Sequence, residues 1–205
     1  PKYLTLEESL KLLDSVQDES PAVTARDYCM LTLMLNCGMR VSELVGIDLT
    51  DIRDNTLRLL GKGNKERVVY LNDACLAALE NYLKFRKPPE TGTDRNAVFL
   101  SAQNRRMTTR RVEQIVQKYL KASGLDGRGY SPHKLRHTAA TLMYQHGGVD
   151  IRALKEILGH ANIGTTEIYT HISNQLIEQA ANASPLSEVK RRRTEKELLM
   201  EEVEK

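Results

Sequence analysis

The sequence predicts a mainly α-helical domain with a small antiparallel β-sheet, an α+β fold. Most of the 205 residues belong to runs with apolar side chains at helical spacing, several of them preceded by capping residues. Residues 51–71 differ, because their pattern is that of two strands around a glycine-rich turn. The chain is long enough for one well-filled core. With no tryptophan and only two phenylalanines, that core is expected to be aliphatic.

The first two helices are predicted from their start signals. Thr5–Glu8 has the spacing of a capping box, which indicates a short helix to about Val16. Ser20–Pro21 begins a second helix that is apolar nearly all round, so we expect it to be central and buried. Gly38 ends it, at a position where glycine readily adopts the left-handed conformation.

The middle of the chain is predicted to contain a hairpin and two further helices. Residues 56–60 and 66–71 are the expected strands, and the turn between them carries Lys62. This turn lacks the spacing of a nucleotide-binding P-loop. One helix begins at Asn72 or Asp73 and runs to about Phe85, and another begins at Thr108 or Thr109, after a short apolar piece at residues 97–100.

The last third of the chain is predicted to be helical as well. Ser131–Pro132 begins one helix, and residues 150–158 form another that closes at Gly159. From about Asn182 the composition becomes mostly charged, which predicts a tail that buries little surface by itself.

The charge distribution permits a nucleic-acid partner. The net charge is only +3, but four arginines cluster at the start of the helix near Thr109. Beside exposed helix-terminal N–H groups they are candidates for contacts to a DNA backbone, although a solvated basic face would look the same. These candidates are Arg105, Arg106, Arg110 and Arg111.

Several classes of protein are disfavoured. Cys29, Cys37 and Cys75 are odd in number and lack CxxC spacing, which predicts reduced, buried thiols. The HxxxH pair at His133 and His137 lacks the glutamate of a zinc protease, so we expect no metal. No apolar run approaches the length of a membrane span and no signal peptide opens the chain, so we expect a cytoplasmic protein.

The candidate catalytic residues occur as short constellations. Arg40 and Glu43 lie three apart, so on a helical turn the carboxylate could hold the guanidinium in place. His133 and Arg136 have the same spacing on the polar side of a predicted helix. His160 follows a helix C-terminus, where the helix dipole favours a protonated imidazole.

Each constellation alone has an ordinary structural explanation, such as a surface ion pair or a packed ring. Together with Lys62 and Tyr169 they contain what a phosphodiester transesterification requires. Arginine neutralises phosphate oxygens, imidazole moves or orients protons, and a tyrosine hydroxyl attacks phosphorus. The other two histidines, His137 and His171, are not needed by this chemistry.

Five motifs, in order along the chain, resemble the catalytic domain of the tyrosine recombinases, most closely the Xer and phage-integrase branch. They are GMRVSEL, GKGNKER, HKLRHTAAT, LGH and IYTH, and the resemblance runs from Thr5 to about Ala181. It implies the fold of that catalytic domain and a site-specific recombinase that cuts and rejoins DNA through a 3′-phosphotyrosine. It also implies roles for six residues: Tyr169 as nucleophile, Arg40 and Arg136 on the non-bridging oxygens, Lys62 as proton donor to the 5′ oxygen, His133 as base or hydrogen-bond partner, and His160 as a phosphate-positioning group.

The resemblance further implies that neither a metal nor a cofactor is required. The expected partner is double-stranded DNA, bound by a homotetramer in a synaptic complex and by a monomer when isolated, with no membrane and no small-molecule substrate. Residues 1–174 would be the catalytic domain, without the N-terminal DNA-gripping domain usual in the family. In residues 175–205 we expect a C-terminal helix and a charged tail. Our hypothesis is that residues 174 to about 183 dock on a neighbouring protomer, with the charged tail extending that contact.

Two other functions fit the same residues. A type IB topoisomerase uses similar chemistry without synapsis, and a DNA-binding regulator could retain a silent site. A helical protein with chance motifs is the remaining alternative, and the co-occurrence of all five motifs argues against it.

Overall fold

A computed structural model of the protein describes residues 3–146, 181–191 and 195–203. Within these ranges the fold is mainly helical with one three-stranded antiparallel sheet, which confirms the predicted class. Among the described helices, none is long and apolar enough to cross a membrane. The helices are α1 (Leu6–Asp14), α2 (Pro21–Cys37), α3 (Val41–Val45), α4 (Asp73–Phe85), α5 (Thr109–Ala122), α6 (Pro132–His146) and α7 (Glu195–Val203), and the strands are β1 (Ile52–Arg53), β2 (Thr56–Leu60) and β3 (Glu66–Tyr70).

Helix α2 is the centre of the core, as its apolar sequence predicts. Every residue from Thr24 to Cys37 is buried, and the helix packs against α4 and α6. It begins where the Ser20 hydroxyl accepts a hydrogen bond from the amide of Val23, and it ends at Gly38. Gly38 has a φ of 64°, the left-handed conformation that turns the chain sharply out of the helix. That turn leads directly into the segment that carries Arg40.

One polar network crosses the core. The buried Asp27 carboxylate accepts hydrogen bonds from Arg26 Nε at 3.0 Å and from the hydroxyl of Tyr119 on α5. Burial, together with this hydrogen bond to Asp27, raises the pKa of the Tyr119 phenol. Because Arg26, Asp27 and Tyr119 all have partners, the network ties α2 to α5 without an uncompensated charge.

The sheet lies beside α3 and is closed by a tight turn. Strand β2 pairs with β3 so that Leu57 faces Val69 and Leu59 faces Arg67. Leu57, Leu59 and Val69 are buried, and the alternate residues of the two strands point outward, as the pleat of a half-buried sheet requires. The inward direction of Arg67 is the exception in an otherwise apolar set.

The three cysteines lie in the core around the contact between α2 and α4. Each is a free, buried thiol, as the sequence predicted. The Sγ atoms of Cys37 and Cys75 are 3.9 Å apart. Burial raises the pKa of the Cys29 thiol, and a hydrogen bond with Cys37 together with burial raises that of Cys75. Cys29 and Cys75 are therefore protonated thiols near neutral pH.

Residues 181–191 pack against the body of the same chain. The side chain of Leu186 is fully buried and belongs to the core cluster, which the prediction of a tail with little buried surface did not anticipate. The Ser187 carbonyl accepts a hydrogen bond from the amide of Ala74 at 2.7 Å, and the Ala181 carbonyl accepts one from Asn72 at 3.2 Å. Residues 174–180 lie outside the described residues, so docking on a neighbouring protomer stays a prediction.

Truncating Leu186 tests this packing. Leu186→Ala is expected to lower the free energy of unfolding by about 2–5 kcal/mol, the range for a buried leucine that leaves a cavity. Chemical denaturation monitored by circular dichroism measures the change. Leu199→Ala is the matched control, because Leu199 is 62% exposed and its loss should change stability by less than about 0.5 kcal/mol. Equal effects of the two variants would contradict the packing described for residues 181–191.

Candidate active site

A cavity of about 670 Å³ brings together three of the residues predicted for catalysis. Arg40, His133 and Arg136 all line it, although almost 100 residues separate Arg40 from Arg136 in the sequence. The opposite wall is the polar face of α5. The remaining lining residues are Met39, Val41, Arg110, Glu113, Gln114, Gln117, Ser131 and Pro132.

Arg40 is placed by the turn between α2 and α3. After Gly38 the chain buries Met39 and leaves Arg40 extended as the residue that precedes α3. The Glu43 carboxylate accepts a hydrogen bond from the Arg40 amide at 2.8 Å, which satisfies an otherwise unpaired donor at the start of the helix. The Arg40 side chain is 38% exposed, so its guanidinium can meet a ligand.

His133 and Arg136 are placed by the first turns of α6. Pro132 is the first residue of that helix, and the Ser131 carbonyl accepts the amide of Leu135 at 3.0 Å. Leu135 is buried in the core and fixes the rotation of α6 about its own axis. This rotation leaves the His133 side chain exposed and buries Arg136 to 8% exposure, deeper than its place on the polar side predicted.

The buried guanidinium of Arg136 is under electrostatic stress. Burial, and then the positive charges of Arg40 and Arg67, lower the pKa of Arg136 to about 10, while Glu43 acts in the opposite direction. Arg136 therefore remains charged at neutral pH in a place that disfavours its charge. A bound anion would relieve that cost, since it supplies the opposite charge where water has been removed.

Arg67 is the member of this site that the sequence analysis missed. Its Nε and Nη2 atoms donate to the two oxygens of Glu43, each at 3.0 Å, from the inward face of β3. Glu43 is thus bound mainly to Arg67 and to the Arg40 amide, while its distance to the Arg40 guanidinium is 3.9 Å. An arginine at an inward, otherwise apolar position of a strand was the available signal.

The structure does not bring all predicted residues into the cavity. Lys62 is exposed in the turn between β2 and β3 and is not among the lining residues. The predicted nucleophile Tyr169 and the predicted phosphate ligand His160 lie outside the described residues. His137 is also absent from the lining, and its ring lies 5.9 Å from that of Tyr3.

The cluster of four arginines divides into different environments. Arg106 is committed within the chain, since its guanidinium donates to the Val45 carbonyl at 2.9 Å and pairs with Asp48. Arg110 lines the cavity. Arg105 and Arg111, which precede and follow Arg110 in the sequence, are exposed. Arg110 is therefore the arginine of this cluster that lines the same cavity as Arg40 and Arg136.

This arrangement is suited to binding a tetrahedral oxyanion. Two guanidinium groups that converge on one cavity can each donate a pair of hydrogen bonds to phosphate oxygens. An exposed imidazole beside them can exchange a proton with the same ligand. In the part of the chain that the structure describes, no three His, Cys, Asp or Glu side chains converge as metal ligands do.

Comparison with known proteins identifies the family of the chain. The model of the phage integrase family matches residues 2–175. Tyrosine recombinase XerC of Caldanaerobacter subterraneus subsp. tengcongensis is 53% identical over 188 residues, which cover 92% of this chain and 52% of that protein. The chain thus spans about half the length of this curated relative.

Two solved structures share the fold. The crystal structure of XerA recombinase superposes with a TM-score of 0.68 at 30% identity, over 87% of this chain and 63% of the other. The XerH site-specific recombinase, bound to its difH substrate in a pre-cleavage complex, gives a TM-score of 0.69 at 29% identity, over 88% of this chain and 54% of the other. A family match over residues 2–175, supported by these likenesses, shows that the chain belongs to the phage integrase family.

Proposed function

We propose that this chain is the catalytic part of a site-specific DNA recombinase that cuts and rejoins DNA through a 3′-phosphotyrosine intermediate. The observation that carries the proposal is the convergence of Arg40, Arg136 and His133 on one cavity. The proposed partner is double-stranded DNA. Its backbone phosphodiester is an anion that this site is suited to bind and that the chemistry of the relatives requires. Residues 1–174 would form the catalytic domain and act in the cytoplasm.

The proposed reaction conserves the energy of the broken bond. The Tyr169 oxygen bonds to phosphorus, the P–O5′ bond breaks, and Lys62 gives a proton to the departing 5′ oxygen. Arg40 and Arg136 hold the non-bridging oxygens while charge develops on them. His133 would take part as base or hydrogen-bond partner, and His160 would position the phosphate. Reversal of these steps with another 5′ hydroxyl rejoins the strand, so the reaction consumes no ATP.

The known activities in the names of the relatives favour recombination over the alternatives. The phage integrase family includes the tyrosine recombinase XerC, and the XerH recombinase structure is a pre-cleavage complex with its difH substrate. A recombinase acts on two sites at once, and we propose a homotetramer for that synaptic complex and a monomer for the isolated chain. A topoisomerase would instead relax supercoiled plasmid as a lone monomer, and a silent regulator would form no covalent adduct.

The test is covalent capture on nicked duplex DNA. A pool of duplexes with randomised sequence and a nick next to the cleavage position traps the phosphotyrosine, because the short 5′-hydroxyl fragment diffuses away. The protein is expected to form an adduct that survives a denaturing gel and to enrich one site from the pool. Tyr169→Phe should form none. Absence of an adduct from the wild-type protein would refute the proposal.

Arg110 is expected to contact the DNA backbone. Arg110→Ala should weaken binding to all sequences and reduce the slope of log affinity against log salt concentration by about 0.9 for one phosphate lost. Fluorescence anisotropy over a salt series measures that slope. Arg106→Ala serves as the comparison, because the guanidinium of Arg106 is bound to Val45 and Asp48. It should lower the melting temperature and leave the slope unchanged, and the reverse pattern would contradict this assignment.

A further inference from the structure

Glu43 is a buried carboxylate that joins three segments of the chain. Its side chain has no exposed surface, and its oxygens accept the Arg40 amide at 2.8 Å and two N–H groups of Arg67 at 3.0 Å. Burial by itself would raise the pKa of Glu43, but the hydrogen bonds and charge of Arg67, followed by those of Arg40, lower it overall. Glu43 is therefore a charged anchor whose partners are fixed in direction.

The same carboxylate lies at the base of the turn between β2 and β3. Arg67 contacts the carboxylate from β3. Gly61 is the residue after β2, and a Cβ at this position would lie 3.5 Å from Glu43 Oε2. The Gly61 amide also donates to the Lys65 carbonyl at 2.8 Å, which closes the turn between these two contacts. Lys62 lies inside that closed turn. The position of the Lys62 backbone is therefore set relative to Glu43.

The pairing of β2 with β3 does not by itself fix the position of the turn relative to Glu43. Hydrogen bonds between β2 and β3 make the hairpin rigid, but they do not fix it relative to α3, the helix that follows Arg40. The bidentate contact between Arg67 and Glu43 does, because a planar guanidinium fork allows one orientation of its partner. Arg67 is also close enough to the cavity for its charge to act on the guanidinium of Arg136.

We propose that Arg67 is a positioning residue, which through Glu43 holds the Lys62 turn in register with Arg40 at the phosphate cavity. This inference rests on the proposed function, since it assigns Lys62 as the proton donor. Displacement of a catalytic group by about 1 Å can cost on the order of 100-fold in rate. Loss of Arg67 should therefore impair the proton transfer to the 5′ oxygen more than any other step.

A change of leaving group separates this role from a general structural one. In a duplex with sulfur at the bridging 5′ position, the Tyr169 oxygen bonds to phosphorus, the P–S bond breaks, and the sulfur leaves as a thiolate. A thiol has a pKa of about 8.5, so it departs without a proton donor. A residue that acts by positioning Lys62 becomes dispensable on this duplex, whereas one that merely maintains the fold does not.

The experiment compares single-turnover adduct formation on ordinary and sulfur-bridged nicked duplexes that carry the site enriched by the protein. Arg67→Gln is expected to be slowed roughly 100-fold on the ordinary duplex, near the lower limit for a lost proton donor. On the sulfur-bridged duplex it should approach the wild-type rate, as Lys62→Ala should. Because both rates come from the same variant, a loss of stability affects them equally.

Arg58→Gln is the matched control. Arg58 lies on β2 in the same sheet, but it is 54% exposed and pairs with Asp51 and Glu66 on the outer face. It should cleave the ordinary duplex at the wild-type rate. If Arg67→Gln does not fold, Arg67→Lys gives the same comparison, since it keeps the charge and loses the fork.

Equal slowing on both duplexes, or no slowing on the ordinary one, would overturn the role of Arg67. Failure of the wild-type protein to form an adduct on either duplex would overturn the proposed function itself, and this inference with it.

Discussion

Arg136→Gln is expected to slow covalent cleavage of nicked duplex DNA by about 10²–10³-fold, the effect of removing one preorganised donor to a developing oxyanion. The loss should be large because Arg136 is only 8% exposed, so water cannot replace the hydrogen bonds that we propose it donates to phosphate. Single-turnover adduct formation at saturating protein isolates this step from DNA binding. Arg136→Lys should remain impaired, since an ammonium keeps the charge but lacks the bidentate fork.

The same variant should not be less stable than the wild-type protein. The pKa of Arg136 is lowered to about 10 in the folded protein, first by burial and then by Arg40 and Arg67. A base whose pKa falls on folding opposes folding while it is charged, as Arg136 is at neutral pH. A neutral side chain removes that opposition, so the melting temperature should stay level or rise while the rate falls. Parallel losses of both would show that Arg136 is mainly structural.

Glu43→Ala is expected to lower the free energy of unfolding by about 3–5 kcal/mol, the usual result of removing one partner of a buried ion pair. The variant leaves the Arg67 guanidinium and the Arg40 amide without their acceptor. Urea denaturation at pH 7 measures the loss. Glu66→Ala is the control, because Glu66 is 58% exposed in its pair with Arg58 and should contribute about 0–1 kcal/mol.

The contribution of Glu43 should also depend on pH in one direction. Its pKa is lowered in the folded protein, because Arg67 and Arg40 outweigh the opposing effect of burial. The unfolded chain therefore binds more protons below its own glutamate pKa of about 4.3. The stabilisation is complete above that pH and is lost as the pH falls through the lower folded value. A Glu43→Gln variant should show a shallower loss of stability in that acidic range, and an unchanged acid profile would contradict this assignment.

Local rules were sufficient for most of the secondary structure. Strand β2 has the predicted bounds of residues 56–60, and α4 begins at Asp73 after its Asn72 cap, because turn and capping signals act over a few residues. The sequence predicted only a helical turn where α3 forms and no separate strand at β1, because both contain too few residues to display a period. They form because neighbouring segments supply their hydrogen bonds and their buried faces.

The site was less accessible to sequence reasoning than the fold. Motif spacing predicted catalytic roles for Arg40, His133 and Arg136, and these three residues line one cavity. Spacing also paired Glu43 with Arg40, yet the main side-chain partner is Arg67, which is 24 residues from Glu43 in sequence. Pairing across that distance depends on the register of β2 with β3 and on the packing of the sheet beside α3. Neither is encoded in a local pattern.

Alkylation of the three thiols buried between α2 and α4 can report transient opening of the core. Alkylation requires an exposed thiolate, and Cys29, Cys37 and Cys75 are all buried in the folded state. Each modification event therefore reports a separation of the helices that form the core. Cys37 is the last residue of α2, immediately before the turn that carries Arg40, so its alkylation rate reports how often the core opens behind the cavity that Arg40 lines.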